Sequence, residues 1–422
     1  MNDVAKVESA KAPRDTAISV LRHVNVRRWI LARLLAGIGV TALRATVLWQ
    51  VYDITGSLAL LGLTGLLSFI PAPFAALGGG VVADAYDRRR VVLGSQCLEL
   101  ACAAALVVLN SFSSFPIAAL YAVFVLNGVA LAFESPARQA MLPRLVSPAE
   151  LPRAVTVMSA CQAFAFVSGP ALGGLLIGWA GPRASCAATV VLVVLSIGLV
   201  MRVEEGKGAV PVGRSAVGLA AIKEGLAFVL QRKVVLGALT IDLFAVIFGG
   251  ATAMLPVYAK DVLHVGAHGY GILAACLDVG ALTTSLCMIF LPPIRRLGRA
   301  IILSVLVYGL ATIAFGLSRS FPISLLCYFL VGVADQVSVV GRSTLVQLST
   351  PDSLRGRVSS VNMVFIIASN QLSVAESGFV AAFTSPTFAV VAGGVLVFVV
   401  VAAILVFIPE LWRGEAPTTA AS

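Results

Sequence analysis

Six ionisable side chains, Arg44, Glu99, Asp242, Asp278, Asp335 and Glu376, stand inside long apolar runs of the chain. A charge near the middle of a bilayer costs roughly 2.5–3.5 kcal/mol on insertion scales, so such a residue is expected to face a cavity or a partner. Burial favours the neutral form of a carboxylic acid, and a nearby cation favours the carboxylate. An acid that meets Arg44 for only part of a cycle can therefore take up and release a proton, and Asp335 or Asp242 is placed ahead of Glu376 for that role. A fixed ion pair holding helices together accounts equally well for any one of them. Gln50, Gln162, Asn370 and Gln371 are further cavity donors, although polar groups in apolar helices more often bond a neighbouring helix.

Other chemistries find little support. His264 and His268 are four apart, but Gly266 and Gly269 weaken the helix that would align them and no third ligand is evident, so no metal site is expected. The seven cysteines form no CxxC pair and all lie in apolar runs, where thiols behave as small hydrophobes. No GxxxxGK[ST], HExxH or GxSxG occurs, and Gly78-Gly79-Gly80 is not followed by Lys-Ser or Lys-Thr. No enzyme and no cofactor is expected, and any uphill work should draw on an ion gradient.

These side chains must be carried by membrane helices. Of 422 residues, 59% are hydrophobic and 12% charged, with mean hydropathy +0.99, too little polar surface to cover a soluble globule. The apolar runs are continuous rather than alternating, which excludes an outer-membrane barrel. Since about 20 residues of helix cross a bilayer core, spans are predicted at 29–52, 57–79, 91–111, 115–134, 154–179, 184–202, 234–258, 268–291, 300–318, 321–341, 358–382 and 386–408. The first 28 residues are polar and basic with no apolar core, so the first span is expected to direct insertion.

The net charge of +10 reflects topology rather than nucleic-acid binding. The tails and alternate loops on one side carry 25 of the 30 basic residues, against Arg183, Lys260 and Arg319 on the other. The positive-inside rule then predicts a multi-pass cell-membrane protein with both termini cytoplasmic.

The chain divides into a tail (1–28), a first six-helix bundle (29–202), a linker (203–233), a second bundle (234–408) and a tail (409–422). Ser147-Pro148-Ala149-Glu150-Leu151 corresponds to Thr350-Pro351-Asp352-Ser353-Leu354 at an offset of 203 residues, each following an arginine, Arg138 or Arg342. A repeat at half length implies two parallel bundles with a cavity between them. Within the linker, Val217–Leu230 repeats apolar residues at helical spacing, as either an interfacial or a solvated helix would.

Two motifs carry more. After span two come Gly80, Asp84 and Arg88-Arg89-Arg90, where glycine permits a tight turn and Asp84 requires a cation or a helix amino terminus. In span five, Ser168-Gly169-Pro170-Ala171-Leu172-Gly173-Gly174 removes one helix hydrogen bond and opens a face for close approach, so a bend is expected there.

The first motif resembles the loop signature of the major facilitator superfamily, agreeing at Gly80, Ala83, Asp84, Arg88 and Arg89 and departing at Ala85 and Asp87. The second resembles that superfamily's antiporter signature. Leu31-Ala32-Arg33, Thr55-Gly56-Ser57, Ser135-Pro136-Ala137-Arg138 and Leu354-Arg355-Gly356-Arg357 are similar to the enterobactin-exporter and macrolide-efflux-like branch.

The resemblance implies an all-α fold of twelve transmembrane helices, with spans one, four, seven and ten lining the cavity; Arg44, Asp242 and Asp335 would then face it. It implies a conformational latch of Gly80, Asp84, Arg88, Arg89 and Arg138 that holds the halves together in the outward-facing state. It further implies a monomeric secondary exporter of small, partly hydrophobic, drug- or siderophore-like molecules working against a proton gradient. The alternatives are a facilitator of lipid or metabolite movement and a transport-silent receptor or scaffold of the same fold, the last disfavoured by the turn signature and the Gly-Pro…Gly-Gly segment.

Overall fold

A computed structural model describes residues 17–71, 87–112, 115–204, 219–292, 294, 296–351 and 354–413. Its helices are α1 (Val24–Thr55), α2 (Leu58–Phe69), α3 (Arg88–Leu109), α4 (Ile117–Leu145), α5 (Leu151–Val200), α6 (Leu219–Gln231), α7 (Lys233–Gly249), α8 (Gly266–Phe290), α9 (Leu297–Leu317), α10 (Phe321–Ser349), α11 (Arg355–Phe383) and α12 (Pro386–Phe407). Ten helical stretches among the described residues are long and apolar enough to cross a membrane. Two predicted spans, five and six, run together in the 50-residue α5, whose backbone leaves helical angles at Ala180 and Gly181. The second predicted span is described only in its first part, α2.

Local chemistry sets the boundaries. Gly56 takes a left-handed φ of 59° to end α1, and the Ser57 hydroxyl then accepts the Leu60 N–H at 3.3 Å to start α2. Asp87 caps α3 by accepting the Arg89 N–H at 2.9 Å, and Ser385 caps α12 through the Phe388 N–H at 3.1 Å. Two helices outrun the predicted spans. α4 continues past residue 134 with Pro136 and Pro143 inside it, and α10 continues past residue 341, so Arg138, Arg144 and Arg342 ride on helices rather than loops.

The end of the molecule where α1 starts is called proximal here, and the end holding the α1–α2 turn distal. α1 packs along α5, with hydroxyls joining the two: Thr41 donates to the Ala165 carbonyl at 3.0 Å, Thr189 to Gly39 at 3.2 Å and Ser196 to Ala32 at 2.9 Å. Such bonds substitute for a hydrophobic force that lipid does not supply.

The apolar core is uneven between the ends. One large cluster joins distal residues of α1, α2 and α5, such as Leu43, Trp49, Leu61 and Ile177, to the α7–α12 half. Proximally, the first half keeps a cluster of its own around Trp29, Met141 and Val200, and a third gathers Val229, Leu239, Val346 and Val358 from the other half.

Candidate functional site

The second half holds a buried charge cluster. Asp242 on α7 and Arg342 on α10 form an ion pair at 3.1 Å, with side chains only 7% and 2% exposed. Arg342 Nη1 also donates to Asn362 Oδ1 on α11 at 2.5 Å, so one guanidinium ties three helices. Asp335 lies two turns before Arg342 on α10 and lines, with Asp242, Tyr308 and Ser338, a small cleft. Asp335 itself makes no hydrogen bond or ion pair among the described residues, and Asp278 on α8 is within its electrostatic reach.

The structure thus brings Asp242, Asp335 and Asp278 toward one another around Arg342. Arg44, the cation expected to meet them, pairs with no acid among the described residues, and Tyr270 is the group that acts on it. Glu376 on α11 is partly buried, with Oε2 lacking a partner. Gln50 bonds Asn110 at 2.5 Å, and Asn370 donates to Ile366 of its own helix, so both serve packing.

The first half carries a second cluster of reversed polarity. Arg33 on α1 pairs with Glu134 on α4, both buried, and Gln96 Nε2 lies 3.4 Å from the same carboxylate. Glu99 on α3 is 1% exposed, with both oxygens unpartnered and Glu134, Arg33 and Arg138 as its charged neighbours. Arg33 and Asp242 each sit nine residues into the opening helix of their half, one a cation and the other an anion. Glu134, Gln96, Arg342 and Asn362 escape a reading of the sequence. The repeat marks two of them in part: an offset of 203 residues places Glu134–Arg138 against 337–341, next to Arg342, and gives no signal for Gln96 or Asn362.

Polar contacts between the halves gather at the distal end. The Tyr52 hydroxyl donates to Asp261, Lys260 pairs with Asp53 at 2.5 Å, Trp49 and Tyr270 rings meet at 5.4 Å, and the Tyr270 hydroxyl donates to Ala45 O at 3.0 Å. The Asp261 side of this clasp sits in a π-helical turn, Tyr258–Val262, just beyond α7.

Close glycine contacts complete the closure. A Cβ on Gly174 of α5 would overlap the Gly271 backbone of α8, and one on Gly62 of α2 would lie 3.1 Å from Gly378 of α11. Gly169 and Gly173 instead face α1, against Thr41 and Ala42. The backbone keeps helical angles through Pro170 and leaves them at Ala180 and Gly181, where the turn between predicted spans five and six falls and Gly181 has φ 80°.

Of the latch residues, Gly80 and Asp84 lie outside the described residues. Arg88 begins α3, Arg89 donates to the carbonyls of Val200 at 3.1 Å and of Met201, and Arg138 faces the Glu99–Glu134 cluster. His264 meets the Lys260 carbonyl at 3.2 Å while His268 packs on Gly178, and no metal-ligating group of three occurs among the described residues.

Residues 15–420 match the family profile described as transmembrane secretion effector. The enterobactin exporter EntS of Shigella boydii is 24% identical over 404 residues, covering 94% of this chain and 95% of that protein. Macrolide efflux protein A of Streptococcus pyogenes is 25% identical over 134 residues; the chain matches about a third of that protein's length, 32% of this chain and 33% of that one. Among solved structures, a bacterial homologue of the human lysosomal transporter Spinster, inward-facing and unoccupied, superposes with TM-score 0.67 at 15% identity over 93% of this chain and 98% of that one. A bacterial homologue of the iron transporter ferroportin, also inward-facing, gives TM-score 0.66 at 18% identity over 90% and 98%. At these identities the likeness is one of fold.

Proposed function

Because the chain belongs to the transmembrane secretion effector family of major facilitator transporters, we propose that it exports small, partly hydrophobic molecules by alternating access, in exchange for protons. The observation that carries this reading is the asymmetry of the core: the halves are clasped distally, while near the start of α1 each keeps its own apolar cluster. Such a body presents its interior to the proximal side. The basic residues of the tails and alternate loops make that side cytoplasmic under the positive-inside rule, so cargo enters from the cytoplasm.

Asp335 is the proton carrier in this reading. It lines the cleft beside the Asp242–Arg342 pair and holds no bond of its own among the described residues, so it changes charge without breaking a helix contact. The chain works as a monomer, its two bundles joined by the linker at 203–233, and Asp84 holds the proximal ends together when the distal end opens. Enterobactin- and macrolide-like molecules frame the size and character of the cargo, by likeness to the relatives above.

Reconstitution tests the reading. In proteoliposomes, an amphipathic dye should leave the cytoplasmic-side compartment faster when the opposite side is acidic, and D335N should retain counterflow while losing the response to the pH gradient. Export with no pH response in the unmodified chain would sink proton exchange.

A further inference from the structure

Arg44 occupies a position that the exporter reading leaves without a role. It lies on α1 just proximal to the distal clasp, five residues before Trp49. Its side chain is solvent-accessible, while Ala45 next to it accepts the buried Tyr270 hydroxyl of α8 at 3.0 Å, so Arg44 stands at the seam where the two halves meet and opens into the space there. Arg33 is taken by Glu134, and Arg342 by Asp242 and Asn362; Arg44 makes no hydrogen bond or ion pair among the described residues.

A guanidinium presents five N–H donors in a planar fork that matches the two oxygens of a carboxylate or phosphate. Held bare at membrane depth it is costly, and only water or an anion brought into the space relieves it. The acids nearby do not serve: Asp242 is paired, and Asp335 and Asp278 are gathered toward Arg342 and Tyr328. The two helix walls that meet here are apolar and aromatic in sequence, α1 through Leu43, Leu48 and Trp49 and α8 through Tyr270, which reaches across the seam to Ala45 O.

We infer that Arg44 is the anion-binding group of the transport cavity, and that the cargo is an amphipathic organic acid whose oxyanion docks on the guanidinium while its apolar body lies against these walls. The inference rests on the exporter reading and narrows it to acids over amines. An oxyanion on an apolar body is also the chemistry of an acidic lipid, so the test separates the two.

The test is calorimetric binding to the purified full chain in neutral detergent, with 1-naphthoate, 1-naphthamide, 1-naphthylmethylamine and dioctanoyl phosphatidic acid as probes. Naphthoate should bind about 10- to 100-fold more tightly than the amide, the span of one charge-assisted contact. R44Q should erase that preference and R44K retain most of it, both with unchanged unfolding temperature because Arg44 holds no internal bond. Tighter binding of phosphatidic acid than of naphthoate would identify a lipid, the reverse a soluble acid. An amide that binds as well as its acid, no binding by any acid, or an acid preference that survives R44Q overturns the inference. Vesicle flux is scored separately: no flux for any probe with the acid preference intact would count against the exporter reading and leave the anion site standing.

Discussion

Arg342 is the side chain whose removal costs most. R342Q would leave the Asp242 carboxylate buried without its 3.1 Å partner and free Asn362 as well. Removing one member of a buried pair costs about 3–5 kcal/mol, whereas replacing both by neutral groups of similar shape is far milder. The double variant D242N/R342Q should therefore recover more than half of the unfolding temperature lost in R342Q, as read by thermal unfolding in detergent. Equal losses in single and double variants would deny the pairing. In the sequence, the hydropathy of 321–341 gives no reason to continue the span through Arg342. A buried arginine and a loop arginine look alike until Asp242, a hundred residues earlier, is brought beside it. Glu134 is hidden in the same way by Arg33.

A milder residue effect sits at the proximal surface. The Ser147 hydroxyl at 2.8 Å, and after it the His23 ring at 3.0 Å, hold the Glu150 carboxyl below its usual range. Folding thus favours the carboxylate, so its contribution is present above the ordinary carboxylate range and is lost as pH falls through the lowered value. E150Q should unfold at a lower temperature than the unmodified chain near pH 7, with the gap closing below about pH 4. A gap that widens on acidification would contradict the sign.

At the scale of elements, the glycine seams decide which helices can approach. Gly174 on α5 meets Gly271 on α8, and Gly62 on α2 meets Gly378 on α11, equivalent seams in a duplicated body. G174V should push α5 off α8 and open the distal end, read as a longer spin-label distance between positions 53 and 260. G198A, where an added Cβ meets nothing within 4 Å, should leave that distance unchanged. The small-residue pattern of span five is plain in the sequence, and its contacts are close. α1 packs on the helix at Gly169 and Gly173, and the turn between spans falls at Ala180–Gly181, where Gly181 supplies the left-handed φ. Helix ends are legible where a cap marks them, as at Ser57 and Ser385, and not at α4, which runs on through Pro136, or at α10, where no breaker follows the apolar run before Pro351.

At the scale of the whole molecule, composition and the repeat at half length specify a duplicated membrane body, while the choice of closed end is not written in any one segment. Each charge cluster lies within one half and is compatible with either closure, whereas the glycine seams belong to the distal closure, so the difference between the two states is a balance of a few contacts. The distal clasp supplies that balance here: Lys260 with Asp53, Tyr52 with Asp261, and Trp49 against Tyr270. If transport requires the halves to exchange closed ends, fixing this clasp must stop it.

The most direct test places cysteines at Asp53 and Lys260 in a chain whose seven native cysteines are replaced, and joins them with a cleavable bis-thiosulfonate linker in proteoliposomes. The account predicts that net export of an amphipathic dye stops when the linker is in place and returns when it is reduced. Export that continues at the unlinked rate across a fully joined clasp would contradict alternating access in this chain.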